Sequence, residues 1–161
     1  MGTTYLHAVA SLDGYIADER DDVGPLHDWY FNGDQPLVGD DHAEVHGGSP
    51  FRVSAASADY VRGLWSRQKV LVIGRHQFDL TNGWEGHPPA SDHVVVMSHR
   101  PRPAGWHPEA PYHFAGSVAD GIVRAQELAG DGHLKLHDPD VVIQGDGVLH
   151  LRYRVDRGAA E

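Results

Sequence analysis

The sequence predicts an α/β fold with a mostly parallel central sheet and an antiparallel hairpin near the C-terminus. Residues 69–73 (KVLVI) and 93–97 (HVVVM) are short apolar segments. A segment with helical spacing lies before the first of them, at 54–68, and another lies after the second, at 117–128. Strands that are apolar on both faces and alternate with helices are typical of parallel sheets covered on both sides. Residues 148–155 alternate strictly after a Gly-Asp-Gly turn, which indicates a hairpin with residues 141–144.

The N-terminal third is predicted to contain one strand and one long loop. Residues 4–10 (TYLHAVA) form an apolar run that predicts a buried strand, and Asp13-Gly14 follows as a turn. Residues 24–50 are rich in Gly, Pro, Asp and His, so we expect a long surface loop with one helical turn.

Two helices and a weaker strand complete the expected order. Residues 54–68 place Tyr60, Val61, Leu64 and Trp65 on one apolar face. Residues 111–114 predict a weaker strand, and residues 117–128 predict a helix that Gly130 ends. Ser117 and Asp120 have the spacing of a capping box at the start of that helix.

Length, composition and charge narrow the class of protein. The chain has 161 residues, the size of one domain over residues 1–161, and a formal net charge of −10 that makes a nucleic-acid partner a poor expectation. No apolar run is long enough for a membrane span, and the first residues lack a signal-peptide pattern. Without cysteine there are no disulfides or thiolate metal sites. We expect a cytoplasmic protein, and an anionic small ligand remains compatible with the negative net charge.

Polar residues follow two successive predicted strands, where open α/β sheets bind ligands. Gly74-Arg75-His76-Gln77 combines a close backbone approach, helix-start N–H groups and a guanidinium, which together suit a phosphate. Ser98-His99-Arg100 adds a hydroxyl, an imidazole and a second guanidinium. Taken singly, an ordinary glycine turn and a solvated loop are the better interpretations. Two such clusters on successive strands favour a ligand with several phosphates.

Three segments in order resemble one family. Residues 11–17 (SLDGYIA), 72–78 (VIGRHQF) and 94–101 (VVVMSHRP) resemble the bacterial dihydrofolate-reductase-like family, which includes the reductase domain of riboflavin biosynthesis. The resemblance covers residues 4–129 and the final hairpin. It implies a three-layer dihydrofolate-reductase-like fold and an NADPH-dependent reductase. Such an enzyme transfers a hydride to a small heteroaromatic or conjugated carbonyl or imine substrate. The resemblance also favours a homodimer.

The resemblance implies a cofactor site at the strand ends. It assigns the pyrophosphate of NADPH to Gly74, Arg75, His76 and Gln77. It assigns the adenosine 2′-phosphate to Ser98, His99 and Arg100. An arginine suits a phosphate dianion and therefore favours NADPH over NADH. The backbone of Val9 and Ala10 would lie against the nicotinamide.

The resemblance places the loop around Asp13 beside the substrate. Asp13 is accordingly our candidate to orient the substrate or relay a proton, and an Asp-Gly turn alone explains it equally well. Trp29, Phe78 and Trp84 are candidates to wall the substrate pocket, although packing in a core or loop is expected for at least one of them.

The chain departs from the family near residues 129–139. A strand, a Gly-Gly turn with its helix and a further strand have no counterpart between the helix at 117–128 and the hairpin. This departure supports a second interpretation, a non-catalytic ligand-binding or scaffolding protein that retains the fold.

Two metal-dependent alternatives are weaker. A zinc deaminase is suggested by His42-Ala43-Glu44, but that signature needs cysteine ligands and the chain has none. A different metal site at His42 and His46, with Glu44 and Asp40 or Asp41 nearby, is less expected than surface histidines, so no metal ligands are assigned.

Overall fold

The computed structural model describes residues 7–37, 51–88, 90–130, 141–145 and 147–152. Contacts within the chain group it into two compact units. The first contains the described residues between 64 and 130. The second contains residues 7–37 and 51–63 and the described residues beyond 140. A single domain over residues 1–161 stays a prediction.

The described elements are mixed α and β. The strands are β1 Gln35–Pro36, β2 Arg52–Val53, β3 Val70–Gly74, β4 His93–Met97, β5 Tyr112–Ala115, β6 Val141–Gln144 and β7 Leu149–Arg152. The α-helices are α1 Ala55–Trp65, α2 Arg75–Leu80 and α3 Val118–Ala129. Gly24–Tyr30 forms a 3-10 helix, and Asn82–Gly86 forms a tight turn. No helix in the described ranges combines the length and hydrophobicity needed to cross a bilayer.

The first unit is built on a parallel three-stranded sheet in the order β3-β4-β5. Gly74 pairs with Met97, and Met97 pairs with Ala115, so the three strands end at the same level. The sequence prediction of apolar parallel strands is therefore confirmed. Their carboxyl ends form one edge, which we call the carboxyl edge.

Both faces of this sheet are covered, which explains why its strands lack polar alternation. On one face, Val95 and Ala115 pack with Ala125 of helix α3. On the other face, Val94 and Val96 pack with Phe78, which is 2% exposed. Strand β4 lies between β3 and β5 and is covered on both faces, so it is the central strand of the core.

Helix α3 begins and ends where its sequence predicts. The hydroxyl of Ser117 accepts a hydrogen bond of 3.1 Å from the backbone N–H of Asp120, which satisfies one free donor of the first turn. At the other end Gly130 has φ 71°, a conformation that glycine adopts without a Cβ penalty, and its N–H bonds to Gln126.

A left-handed turn follows helix α2. Residues 82–86 all have positive φ, from 46° at Asn82 to 84° at Gly86. L-residues disfavour this conformation, so consecutive examples need external support. Tyr112 donates a hydrogen bond to the carbonyl of Gly83, and the indole N–H of Trp106 donates to the side chain of Asn82. The surrounding core therefore holds the turn in place.

The second unit contains two antiparallel pairs. Strands β1 and β2 pair through Gln35 and Val53. Strands β6 and β7 form the hairpin that the sequence predicts, with Gln144 opposite Leu149. Trp29 is 4% exposed and stacks on Tyr30 with ring centroids 3.9 Å apart, so aromatic packing forms the centre of this unit.

Two sequence expectations differ from the observed architecture. Residues 7–10 lie outside any strand, and residues 4–6 of the expected N-terminal strand are outside the described ranges. The hairpin forms a two-stranded sheet of its own and does not close the parallel sheet. Apolar runs and alternation indicate burial and local conformation, but tertiary contacts decide which backbone a strand pairs with. Most of the segment at 129–139 lies outside the described residues.

Candidate anion-binding site

The two polar clusters predicted from the sequence meet at the carboxyl edge. Because β3 and β4 are adjacent and parallel, Gly74 and Met97 are paired, and the residues that follow them are neighbours. Gly74 is exposed, and a Cβ built there would meet no atom within 4 Å. A ligand therefore has access to the backbone at this strand end.

Arg75 is fixed at this edge by contacts on several sides. Its Nη1 donates a hydrogen bond of 3.0 Å to the carbonyl oxygen of Pro101. Its guanidinium carbon lies 5.4 Å from the ring centre of Phe78 and 6.0 Å from that of Phe114, within cation–π range. The side chain is only 16% exposed. Arg75 therefore presents a positioned positive charge.

Arg100 reaches the same point from the end of β4. Arg75 Nε lies 2.7 Å from Oδ1 of Asp79, and Arg100 Nη2 lies 2.8 Å from Oδ2 of the same carboxylate. The hydrogen bond from Arg75, with that from Arg100, holds the pKa of Asp79 below its ordinary value. We call Arg75, Asp79 and Arg100 the arginine clamp.

Ser98 shapes the backbone that carries Arg100. Its hydroxyl donates to the carbonyl oxygen of Arg100 at 2.8 Å and accepts from the N–H of Arg100 at 3.0 Å. This local turn keeps the chain compact directly after β4. His76, Gln77 and His99 are exposed around the clamp. The sequence-predicted residues of both strand ends thus share one surface of the first unit.

Two guanidiniums converging on one carboxylate are suited to bind an anion. Two positive charges against one negative charge leave the clamp with a local excess of one positive charge, under a net chain charge of −10. Guanidinium donors match the oxygens of carboxylates and phosphates. The arrangement can therefore recognise an anionic group of phosphate size.

Asp79 was not among the residues predicted from the sequence. It lies four residues after Arg75 in helix α2, a spacing that places both side chains on one face of a helix. The spacing in the sequence could therefore have predicted the ion pair between Arg75 and Asp79. The contact between Asp79 and Arg100 could not be predicted in this way. The two residues are 21 positions apart, and only the pairing of β3 with β4 brings them together.

Val9, Ala10 and Asp13, predicted beside the nicotinamide and the substrate, lie in the second unit. Asp13 is exposed and accepts a hydrogen bond of 2.6 Å from the hydroxyl of Ser11. The N–H of Gly14 bonds to the carbonyl of Ser11, so Asp13 lies in a turn. Val9 is half-buried and Ala10 is exposed. Turn geometry accounts for the sequence around Asp13, and a role for it in proton transfer stays a prediction.

The three aromatic residues predicted to wall a substrate pocket do not share one environment. Phe78 is buried in the core of the first unit, and Trp84 is half-buried against the same core. Trp29 is in the core of the second unit, where its ring meets the ring of His150 edge-on at 4.9 Å. All three have packing roles in the described structure.

A cleft of about 430 Å³ lies beside the amino-terminal end of β5, at the opposite end of the strands from the arginine clamp. It is lined by Glu85, Gly86, His87, His107, Pro108, Glu109, Ala110 and Pro111. Glu85 lies 3.3 Å from His107, and its hydrogen bond with Asn82, followed by that with His107, lowers its pKa. None of these residues was singled out from the sequence, because they come from two separate loops.

Across the described ranges, no group of three or more His, Asp or Glu side chains is arranged to hold a metal ion. The earlier candidates Asp40, Asp41, His42, Glu44 and His46 lie outside the described residues.

No protein-family model matches the chain, and no curated protein matches it.

Proposed function

We propose that the chain is an NADPH-dependent reductase of the dihydrofolate-reductase-like class. The observation that carries the proposal is the convergence of Arg75 and Arg100 on one carboxylate at the ends of two adjacent parallel strands. Open α/β sheets bind phosphorylated ligands at this edge. NADPH differs from NADH by a phosphate monoester, and the clamp supplies the charge that would recognise it.

The described residues fit the phosphate end of this cofactor. Arg75 offers a positioned guanidinium, Arg100 offers an exposed one, and Gly74 allows close approach to the backbone. Bound NADPH would supply the hydride. Arg75 and Arg100 would hold its phosphate and orient the cofactor on the carboxyl edge.

The family resemblance assigns the proton step of the proposed reaction to Asp13. When a hydride reaches the carbon of a C=O or C=N bond, the heteroatom takes up a proton, so a group must deliver one from solvent. Asp13 is exposed and hydrogen-bonded to Ser11, which suits a residue that relays a proton or orients a polar substrate. Positioning of the reactants would supply most of the rate.

A non-catalytic ligand-binding or scaffolding protein is the second candidate. It is favoured by residues 7–10, which form no strand, because the reductase needs Val9 and Ala10 as a backbone surface for the nicotinamide. Such a protein would keep the arginine clamp and bind a phosphorylated small molecule without turning it over.

Tryptophan fluorescence distinguishes the two candidates, since the chain has four tryptophans. Titration with NADPH should quench the emission at lower concentration than titration with NADH. The reductase also requires that bound NADPH be oxidised when a conjugated imine or carbonyl compound is added. Binding without oxidation across a panel of such compounds would favour the non-catalytic protein, and the absence of any response to NADPH would exclude the reductase.

A further inference from the structure

The carboxylate of Asp79 lies where the two guanidiniums of the clamp point. Arg75 Nε and Arg100 Nη2 bind its two oxygens separately, at 2.7 and 2.8 Å. A phosphate group presents oxygens with a similar spacing and the same sign of charge. One carboxylate therefore occupies the donors that an incoming phosphate would use.

We infer that Asp79 is an internal competitor for the anion site: a ligand phosphate must displace its carboxylate from Arg75 and Arg100 to bind. The inference rests on the proposed function for the identity of the ligand, the 2′-phosphate of a nicotinamide cofactor. It also changes the arrangement implied by the family resemblance, because both arginines serve a single phosphate group and not two separate ones.

The alternative role of Asp79 is a brace that positions the arginines. The other contacts of Arg75 argue against a bracing role for Asp79, because the carbonyl of Pro101 and the ring of Phe78 also hold Arg75. It would keep its place without Asp79. The side chain of Arg100 is 66% exposed, so its pair with Asp79 is readily exchanged for another anion.

The position of Asp79 in helix α2 allows its carboxylate to move away from the two arginines. Its side chain is 40% exposed, and it comes from the last turn of a helix whose neighbouring Leu80 is 58% exposed. A change of its side-chain rotamer would turn the carboxylate toward solvent without moving the helix backbone. Displacement therefore requires no repacking of the core.

The test compares phosphate binding by Asp79→Asn with binding by the wild-type chain. The amide keeps the size of the side chain and removes its charge, so the dissociation constant for inorganic phosphate should fall about fivefold, the scale of one exposed charge pair. Binding is measured by following the Nε–Hε signal of Arg75 by NMR during titration. Asp92→Asn is the matched control, because Asp92 pairs with Lys69 before the strands begin, away from the carboxyl edge.

The outcomes separate the competitor from the brace. A lower dissociation constant in Asp79→Asn alone supports the inference, and its reversal by adding Arg100→Gln strengthens it. An unchanged or higher constant in Asp79→Asn overturns it, as does an equal fall in Asp92→Asn or the absence of phosphate binding in all variants. Urea unfolding of each variant verifies that the chains are folded.

Parallel titrations with NADPH keep this inference distinct from the proposed function. If wild-type chain binds NADPH but Asp79→Asn gains no affinity for phosphate, the competitor role fails and the reductase stands. If Asp79→Asn gains phosphate affinity and neither chain binds NADPH, the competitor role stands and the reductase fails.

Discussion

The phenol hydroxyl of Tyr112 donates a buried hydrogen bond of 2.7 Å to the carbonyl oxygen of Gly83. This bond joins the first residue of β5 to the left-handed turn of residues 82–86. Burial raises the pKa of Tyr112, so the hydroxyl stays protonated and remains a donor over the physiological range. The turn is thus held by the core and not by its own backbone preference.

Replacement of Gly83 by alanine should therefore destabilise the first unit. Its φ is 52°, and an added Cβ would lie 2.6 Å from the ring of Trp106 and 2.7 Å from that of Phe78. Overpacking of this kind costs about 2 kcal/mol, which a urea unfolding curve resolves. Gly105→Ala is the control, because Gly105 also has positive φ but has no atom within 4 Å of the added Cβ. Equal losses in the two variants would contradict the close packing at Gly83.

Phe78 and Leu80 provide a second matched pair within helix α2. Phe78 is 2% exposed and Leu80 is 58% exposed. Phe78→Ala should lower the free energy of unfolding by about 3 to 5 kcal/mol, the usual range for a buried phenylalanine. Leu80→Ala should change it by less than about 0.5 kcal/mol. A small effect at Phe78 would show that this ring is not in the core.

Arg100 should decide the preference between the two nicotinamide cofactors. Arg100→Gln removes one guanidinium from the clamp while Arg75 keeps its place, so affinity for NADPH should fall about tenfold. Affinity for NADH should stay near its starting value. The measurement is tryptophan fluorescence quenching by each cofactor.

Arg124→Gln is the control for this charge change, since Arg124 pairs with Glu127 on helix α3. It should leave both cofactor affinities unchanged. A parallel loss of NADH and NADPH binding in Arg100→Gln would argue against a phosphate contact.

Acid should destabilise the protein through histidines whose pKa values are lowered in the folded chain. His150 is 7% exposed, its Nε2 lies 3.0 Å from the hydroxyl of Ser57, and burial, with the nearby His7, lowers its pKa from 6.5. The pKa values of His7, His27 and His113 are lowered as well, mainly because their rings are partly desolvated. As the pH falls through 6.5, the unfolded chain therefore binds more protons than the folded chain, and stability declines.

Urea midpoints at pH 7.5 and 5.5 would measure this decline. His150→Gln should reduce the difference between the two midpoints, because it removes one of the groups that must stay neutral in the folded state. His99→Gln, at an exposed position, should leave the difference unchanged. A midpoint that rises on acidification would contradict the prediction.

The sequence alone determined local elements in both units. The apolar segments at 69–73 and 93–97 are strands, the segment at 117–128 is a helix capped by Ser117, and the C-terminal alternation is a hairpin. These features follow from burial period, capping and turn chemistry, which act over a few residues. The placement of Gly74-Arg75 and Ser98-Arg100 on neighbouring strand ends also followed, because adjacent parallel strands end at one edge.

Only the tertiary structure decided which groups meet. The sharing of Asp79 by Arg75 and Arg100, the left-handed turn at 82–86 and the contact of Ser57 with His150 join residues from separate elements. The absence of a strand at residues 7–10 and the independence of the hairpin have the same origin. Local pattern indicates how a segment is folded and how deeply it is buried. The partner that it meets depends on the packing of the whole unit.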